Sequence, residues 1–281
     1  MAIVERPLAD ADLDACLRLV AEAGWNQTAN DWQTIFEIGE TRGLFEDGAL
    51  IASAAIVLHG PVGWVCMVLV TPGAQRRGHA THLLNWAGDR LDELGLTPGL
   101  DATPAGRHVY LNLGYVDIYP ITRMQCDLPD RRQESTSDPT IRALTQDDLP
   151  ALLALDQTAF GLDRGALLAS LIRRRPDLAA GIFDGDTCLG FALAREGRRA
   201  TQIGPVVARD EALAVALLHH VLDQCEGAVF IDVPDLHETM RAALEDRGFT
   251  AQRPFTRMLR GKTQAFDDPT RVFALTGPEF A

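Results

Sequence analysis

The run Gln75-Arg-Arg-Gly-His-Ala80 gathers the residue types that hold an anion. An apolar β-type stretch, Val65 to Val70, leads into it through a Pro-Gly turn. A helix leaves it with apolar positions at helical spacing: Ala80, Leu83, Leu84, Ala87 and Leu91. The first N–H groups of such a helix lack backbone acceptors, and the positive end of its dipole lies in the same place. Strand, glycine-bearing loop and helix N-terminus therefore converge on one spot suited to phosphate. Gly78 lets a ligand approach the backbone and Ala80 keeps the next turn small. Arg76 and Arg77 add charge-assisted donors. Val68, Leu69, Val70, His79 and Thr81 flank the loop and complete the expected binding stretch.

The elements that must position this loop occur twice. Gly114-Tyr115 and Gly248-Phe249 are 134 positions apart, as are Thr122-Arg-Met124 and Thr256-Arg-Met258, and Leu83-Leu84 and Leu217-Leu218. Asp47-Gly48 and Asp184-Gly185 are 137 apart, so a small insertion separates the copies nearer their starts. Such self-similarity points to an internal duplication. Each half reads as a strand, a helix (Asp10 to Ala23; Gln146 to Phe160), a second helix (Asp31 to Ile38; Arg164 to Arg174) and a hairpin with an Asp-Gly turn. A strand, a long helix, a strand, a shorter helix and closing strands follow. The polar, proline-flanked segment between Asp127 and Thr140 reads as a linker. The expected units are therefore 1–127, a linker at 128–139, 140–263 and an extension, 264–281, containing a short apolar strand at Val272 to Leu275.

The pattern Gln-x-x-Gly-x-Ala after a strand resembles the acetyl-CoA pyrophosphate loop of the GNAT superfamily of N-acetyltransferases, with Gln75, Gly78 and Ala80 at the matching positions. Downstream, Gly106-Arg-His-Val-Tyr-Leu-Asn-Leu-Gly-Tyr115 is similar to the family segment Ala-x-x-Leu-Tyr-x-x-Leu-Gly-Phe. The resemblance implies an α/β (α+β) chain of two tandem GNAT-like mixed-sheet domains flanked by helices. It implies acetyl-CoA as acyl donor and an acceptor that is a primary amine of a small molecule.

Transfer of an acetyl group to an amine poses two proton problems. An alkylammonium has a pKa near ~10.4, so only about one molecule in ~10³ is nucleophilic at pH 7. The departing thiolate, with a pKa near ~8.5, gains from a nearby donor. The resemblance assigns that donor to Tyr110, which otherwise reads as a core aromatic. The strand Gly63 to Val70 carries no carboxylate, so the base often found there in the family is absent. Asp101 is the candidate in its place, with two other readings open: a helix cap, which Thr103 could supply instead, or a site for the substrate ammonium. Trp25, Asn26 and Trp32, between the first two helices, form a candidate acceptor wall able to hold a cation. They read equally as a staple of helix to sheet.

At the 134 offset, Gln75-Arg-Arg-Gly-His-Ala80 faces Arg209-Asp-Glu-Ala-Leu-Ala214, and Tyr110 faces Leu244. All three tyrosines and all four tryptophans lie in the first half. The second copy thus keeps fold-bearing hydrophobics and lacks the chemistry-bearing residues. Residues 1–130 alone, if soluble, are expected to bind the donor, and residues 138–281 are not.

Composition limits the alternatives. A chain of 281 residues with 47% hydrophobic and 23% charged residues is ordinary for a globular protein. No apolar run is long enough to span a bilayer, and a net charge of −13 disfavours nucleic acid or anionic membrane as a partner. Five scattered cysteines without a Cys-x-x-Cys, and histidines without ligand spacing, give no metal site and fit a cytoplasmic protein, monomer or homodimer. Two other functions stay open: a CoA-binding sensor or scaffold without turnover, and a protein N-acetyltransferase.

Overall fold

The structure, a computed structural model, describes residues 3–129 and 140–281, so most of the expected linker lies outside the described residues. The first half runs β1 (Ile3–Arg6), α1 (Leu13–Glu22), α2 (Ala29–Ile38), β2 (Gly39–Glu46), β3 (Ala49–His59), β4 (Val62–Val70), α3 (His79–Glu93), β5 (Thr97–Ala102), α4 (Pro104–Asn112) and β6 (Tyr115–Leu128). The second repeats that order: β7 (Ile141–Ala143), α5 (Leu149–Phe160), α6 (Gly165–Arg174), β8 (Ala180–Asp184), β9 (Thr187–Arg195), β10 (Thr201–Ala208), α7 (Glu211–Leu222), β11 (Gly227–Pro234), α8 (Glu238–Asp246) and β12 (Thr250–Arg260). One more strand, β13 (Val272–Ala274), lies in the C-terminal extension.

Local chemistry sets these elements. At the start of α2, Asp31 accepts from the Thr28 N–H at 2.7 Å, satisfying a donor the helix leaves open. Helix α3 buries Leu83, Leu84, Ala87 and Leu91 against the sheet, the stripe its spacing predicts. The Asp47-Gly48 turn joins β2 to β3 as expected.

All strands belong to one mixed sheet, in the order β1-β2-β3-β4-β5-β12-β6-β11-β10-β9-β8-β7, with β13 beside β10. The order at the centre shows that the halves exchange their closing strands. β12 of the second half pairs with β5 of the first, and β6 of the first pairs with β11 of the second. Each exchange carries a cross-strand ion pair. Arg257 lies opposite Asp101, and Arg123 opposite Asp232. Arg257 reaches Asp101 through two bonds of 3.0 Å, and Arg123 reaches Asp232 at 2.6 and 2.7 Å, with all four side chains buried. Removing one partner of such a pair strands an uncompensated buried charge, at about 3–5 kcal/mol. The repeated Thr-Arg-Met motif is thus the reciprocal clamp between the halves. A hydrophobic core drawing on both, from Leu19 and Trp32 to Leu152 and Phe191, lies beneath α1, α2, α5 and α6.

In each half, two neighbouring parallel strands pair briefly and then part. β4 pairs with β5 only from Val62 to Trp64, and β10 pairs with β11 only from Thr201 to Ile203. In β4 a bulge lies just beyond the split, with Met67 at φ +51° and its carbonyl accepting from Ser53 Oγ at 2.9 Å. The first cleft opens to a cavity. The second is filled by β13, which pairs with β10 at Val206 and Val207 and bridges Asp232 through Leu275. Close approach there requires Gly204, since a Cβ would lie 1.9 Å from the Leu275 carbonyl oxygen.

Candidate active site

The parted edges of β4 and β5 bound a cavity of about 550 Å³. At one end stands the predicted anion loop. Gly78 precedes α3 with φ +85°, a conformation that favours glycine, and a Cβ there would meet nothing within 4 Å, so the space before the helix is open. Val68, Val70, Gln75, Arg76 and Ala80 line the cavity. Leu69 points into the core, as strand alternation requires, and His79 is buried. Thr81 is exposed at the start of α3. Arg77 is ion-paired with Glu46 of β2 at 2.5 Å, so Arg76 is the arginine that faces the cavity. An open helix N-terminus with a cavity-facing guanidinium fits a pyrophosphate. The free edge of β4 beyond Trp64 offers backbone groups to an extended, amide-bearing arm.

Along the adjoining wall, Thr103 caps α4 by accepting from the Gly106 N–H at 3.2 Å, which removes the capping reading of Asp101. Tyr110 lies one turn beyond Gly106 and packs over it; a Cβ at Gly106 would sit 2.9 Å from the Tyr110 ring. Burial pushes the Tyr110 hydroxyl up to about 12, so it is protonated at neutral pH and can donate. Cys66 also lines this space, and burial raises its thiol well above the ordinary range, which leaves no thiolate to act as nucleophile.

Asp101 is in the wall, but both of its oxygens accept from Arg257. Arg257 also donates to Tyr119 at 2.7 Å and to Asp267 at 2.8 Å. Burial raises the Asp101 pKa against the pull of Arg257. Its counterpart Asp232 makes the same pair in the half that lacks the chemistry-bearing residues. Asp101 therefore serves the strand clamp, and the expectation of a free catalytic base there is not met.

A carboxylate that the sequence reading did not single out stands in the cavity instead. After β13 the extension turns back to the first half, where the Pro278 carbonyl accepts from Trp64 Nε1 at 2.9 Å. Glu279 follows and lines the cavity, 2% exposed. It accepts from Gln27 at 2.9 Å and pairs with Arg195, which is shared with Asp31 at 2.9 Å. Burial raises the Glu279 pKa, and Arg195 opposes the shift. No local motif marks this residue, because what brings it here is the path of β13 through the other half.

The predicted acceptor residues separate. Trp25 lines the cavity, joined by Gln27. Asn26 is instead consumed in holding the second half, donating to the Ala200 carbonyl at 3.0 Å and accepting from the Arg199 and Ala200 N–H groups. Trp32 is fully buried and packs on Phe36, which makes it a staple and not a wall. From the second half, Arg253 and Phe255 on β12 complete the cavity.

The site in the second copy is closed at both ends. The Asp210 carboxylate accepts from the Leu213 N–H at 3.1 Å, occupying the helix terminus whose equivalent stands open in the first half, and β13 fills the cleft. No group of side chains suited to a metal ion occurs among the described residues.

Comparison with known proteins agrees with this architecture. Residues 13–115 match the acetyltransferase (GNAT) family, and residues 152–274 match an acetyltransferase (GNAT) domain. An uncharacterized N-acetyltransferase of Bacillus subtilis, YitH, is 23% identical over 244 residues, 86% of either chain. The crystal structure of a putative acetyltransferase from Pyrococcus horikoshii superposes with a TM-score of 0.81 at 19% identity, covering 99% of this chain and 96% of that one. A tandem GNAT protein from the clavulanic acid biosynthesis pathway superposes with a TM-score of 0.63 at 16% identity, covering 92% and 98%.

Proposed function

Since the chain belongs to the GNAT acetyltransferases in both its halves, we propose that its first half transfers the acetyl group of acetyl-CoA directly to a primary amine of a small molecule. The observation that carries this reading is the open cleft between β4 and β5, which runs from the anion loop past Tyr110 to the buried carboxylate of Glu279. The Gln75–Ala80 loop and Arg76 hold the pyrophosphate, and the free edge of β4 at Val68–Val70 holds the arm that carries the thioester. Acetyl-CoA supplies an activated acyl group.

Glu279 accepts the proton that the attacking amine must lose, taking over the role first expected of Asp101. Burial raises the Glu279 pKa above the ordinary carboxylate value, which strengthens it as a base. The amine nitrogen bonds to the acetyl carbon as the carbon–sulfur bond breaks, and Tyr110 gives its proton to the leaving sulfur. The buried Cys66 thiol favours this direct route over an acyl-enzyme. The acceptor sits between Trp25, Gln27 and Phe255.

The test is release of free CoA thiol from acetyl-CoA by pure protein over a panel of primary amines. Turnover with at least one amine, lost in Tyr110→Phe, supports the proposal. Acetyl-CoA binding without turnover of any amine would favour the sensor or scaffold reading.

A further inference from the structure

Arg253 is set apart from the other arginines of the interior. Arg123 pairs with Asp232, Arg164 with Asp156, Arg195 with Asp31 and Glu279, and Arg257 with Asp101 and Asp267. Arg253 lines the cavity beside Glu279 yet has no carboxylate partner within 4.0 Å among the described residues. Its Nε is buried without a hydrogen-bond partner, and its guanidinium lies 4.8 Å from the centre of the Phe255 ring. The charges that act on it are Arg123, Arg199, Asp232 and Glu279, and burial together with the two arginines lowers its pKa. In the sheet β5 separates β12 from β4, whose end leads into the Gln75–Ala80 loop, so Arg253 on β12 stands on the acceptor side of the cavity and not at the phosphate side.

An unpaired guanidinium in a partly buried site is costly unless a ligand supplies the anion. A fork of parallel N–H donors matches a carboxylate. We propose that the acceptor carries a carboxylate as well as its amine, and that Arg253 binds this carboxylate: the substrate is an amino acid or an amino-acid-like compound. The inference rests on the acetyltransferase reading above. Arg253 and Glu279 then divide the recognition of a zwitterion, the arginine holding its anionic end and the glutamate receiving the proton of its cationic end. Trp25 and Phe255 flank what lies between.

The experiment pairs each L-amino acid with the amine left by its decarboxylation, and measures CoA release by wild type and by Arg253→Met, with acetyl-CoA affinity measured separately by calorimetry. Wild type is expected to use at least one carboxylated acceptor with kcat/KM on the order of 10² or more above its amine partner, the scale of a lost charge-assisted pair. Arg253→Met should remove most of that preference and leave acetyl-CoA affinity and melting temperature near wild type. Equal or better use of the decarboxylated amines by wild type would overturn the proposal, as would a preference that survives Arg253→Met or amine turnover confined to compounds without a carboxylate. If acetyl-CoA binds and nothing in either set is acetylated, the proposal also falls. Loss of acetyl-CoA binding in wild type would instead show that the acetyltransferase reading itself has failed.

Discussion

Tyr110 and Glu279 face the same cavity, yet only one of them was visible in the chain as written. Tyr110 stands in a local motif, within one helix, and its surroundings are set by residues close in sequence. Its expected role gives a direct outcome: Tyr110→Phe should lower kcat by roughly 10²–10⁴, the worth of a positioned acid, with little change in acetyl-CoA affinity by calorimetry. Glu279 has no such motif, and Asp101 seemed the base because its eventual partner, Arg257, lies 156 positions away. The two carboxylates should now separate in experiment. Glu279→Gln should lower kcat by a similar factor and abolish the acid limb of the pH profile. In wild type that limb lies above the ordinary carboxylate value of 4.5, because burial raises the Glu279 pKa and activity falls as pH drops through it. Asp101→Asn should keep the limb and lose about 1–3 kcal/mol of stability, read from thermal or denaturant unfolding, since it weakens a buried charged hydrogen-bond pair. A retained limb in Glu279→Gln would return the base to another group.

At the scale of elements, the anion loop was legible because strand, glycine turn and helix are consecutive. Gly78→Glu should abolish acetyl-CoA binding in calorimetry while the fold, followed by circular dichroism, survives. The Cβ meets open space, and the left-handed backbone costs only about 1–2 kcal/mol. The closing of the second cleft was only half legible. Asp210 and Glu211 announced the lost phosphate site, and Asp210 does cap α7. The strand that plugs the cleft could be read as a strand, Val272 to Leu275, but its neighbour could not, since pairing with β10 crosses some 65 residues. The physical consequence is a sharper prediction than the charges alone allow. Restoring Gln-Arg-Arg-Gly at 209–212 should not create a second site, because the edge of β10 that would take the arm is already paired. Titration with acetyl-CoA should give one site per chain in both wild type and the graft, and a second equivalent of binding in the graft would show that β13 yields.

For the whole molecule, the duplication was readable from the repeated Thr-Arg-Met and Gly-aromatic motifs, but the exchange of closing strands was not. A repeat pattern is the same whether a strand folds back on its own half or crosses to the other, and the choice is made by partners that exist only in three dimensions. Here β5 needs β12, and β11 needs β6. The cavity needs Arg253 and Phe255 from β12 and Glu279 from beyond β13. Residues 1–130 alone would therefore leave Asp101 buried without Arg257, expose the edge of β5 and lack four cavity residues, Arg253, Phe255, Pro278 and Glu279. On these contacts we expect that this half does not bind the donor unaided. Two separate chains, 1–129 and 140–281, should each be unstable or aggregated when produced alone, because an uncovered central strand edge invites pairing with other chains. Produced together, they should co-purify as a one-to-one complex that binds acetyl-CoA with near-wild-type affinity, since every exchanged strand and both cross-strand arginine clamps are then present. Arg123→Ala in one chain or Asp232→Ala in the other should weaken that complex by about 3–5 kcal/mol, measured as a shift in its dissociation constant. A first half that is monomeric, folded and saturable by acetyl-CoA in the absence of the second would show that the strands need not cross.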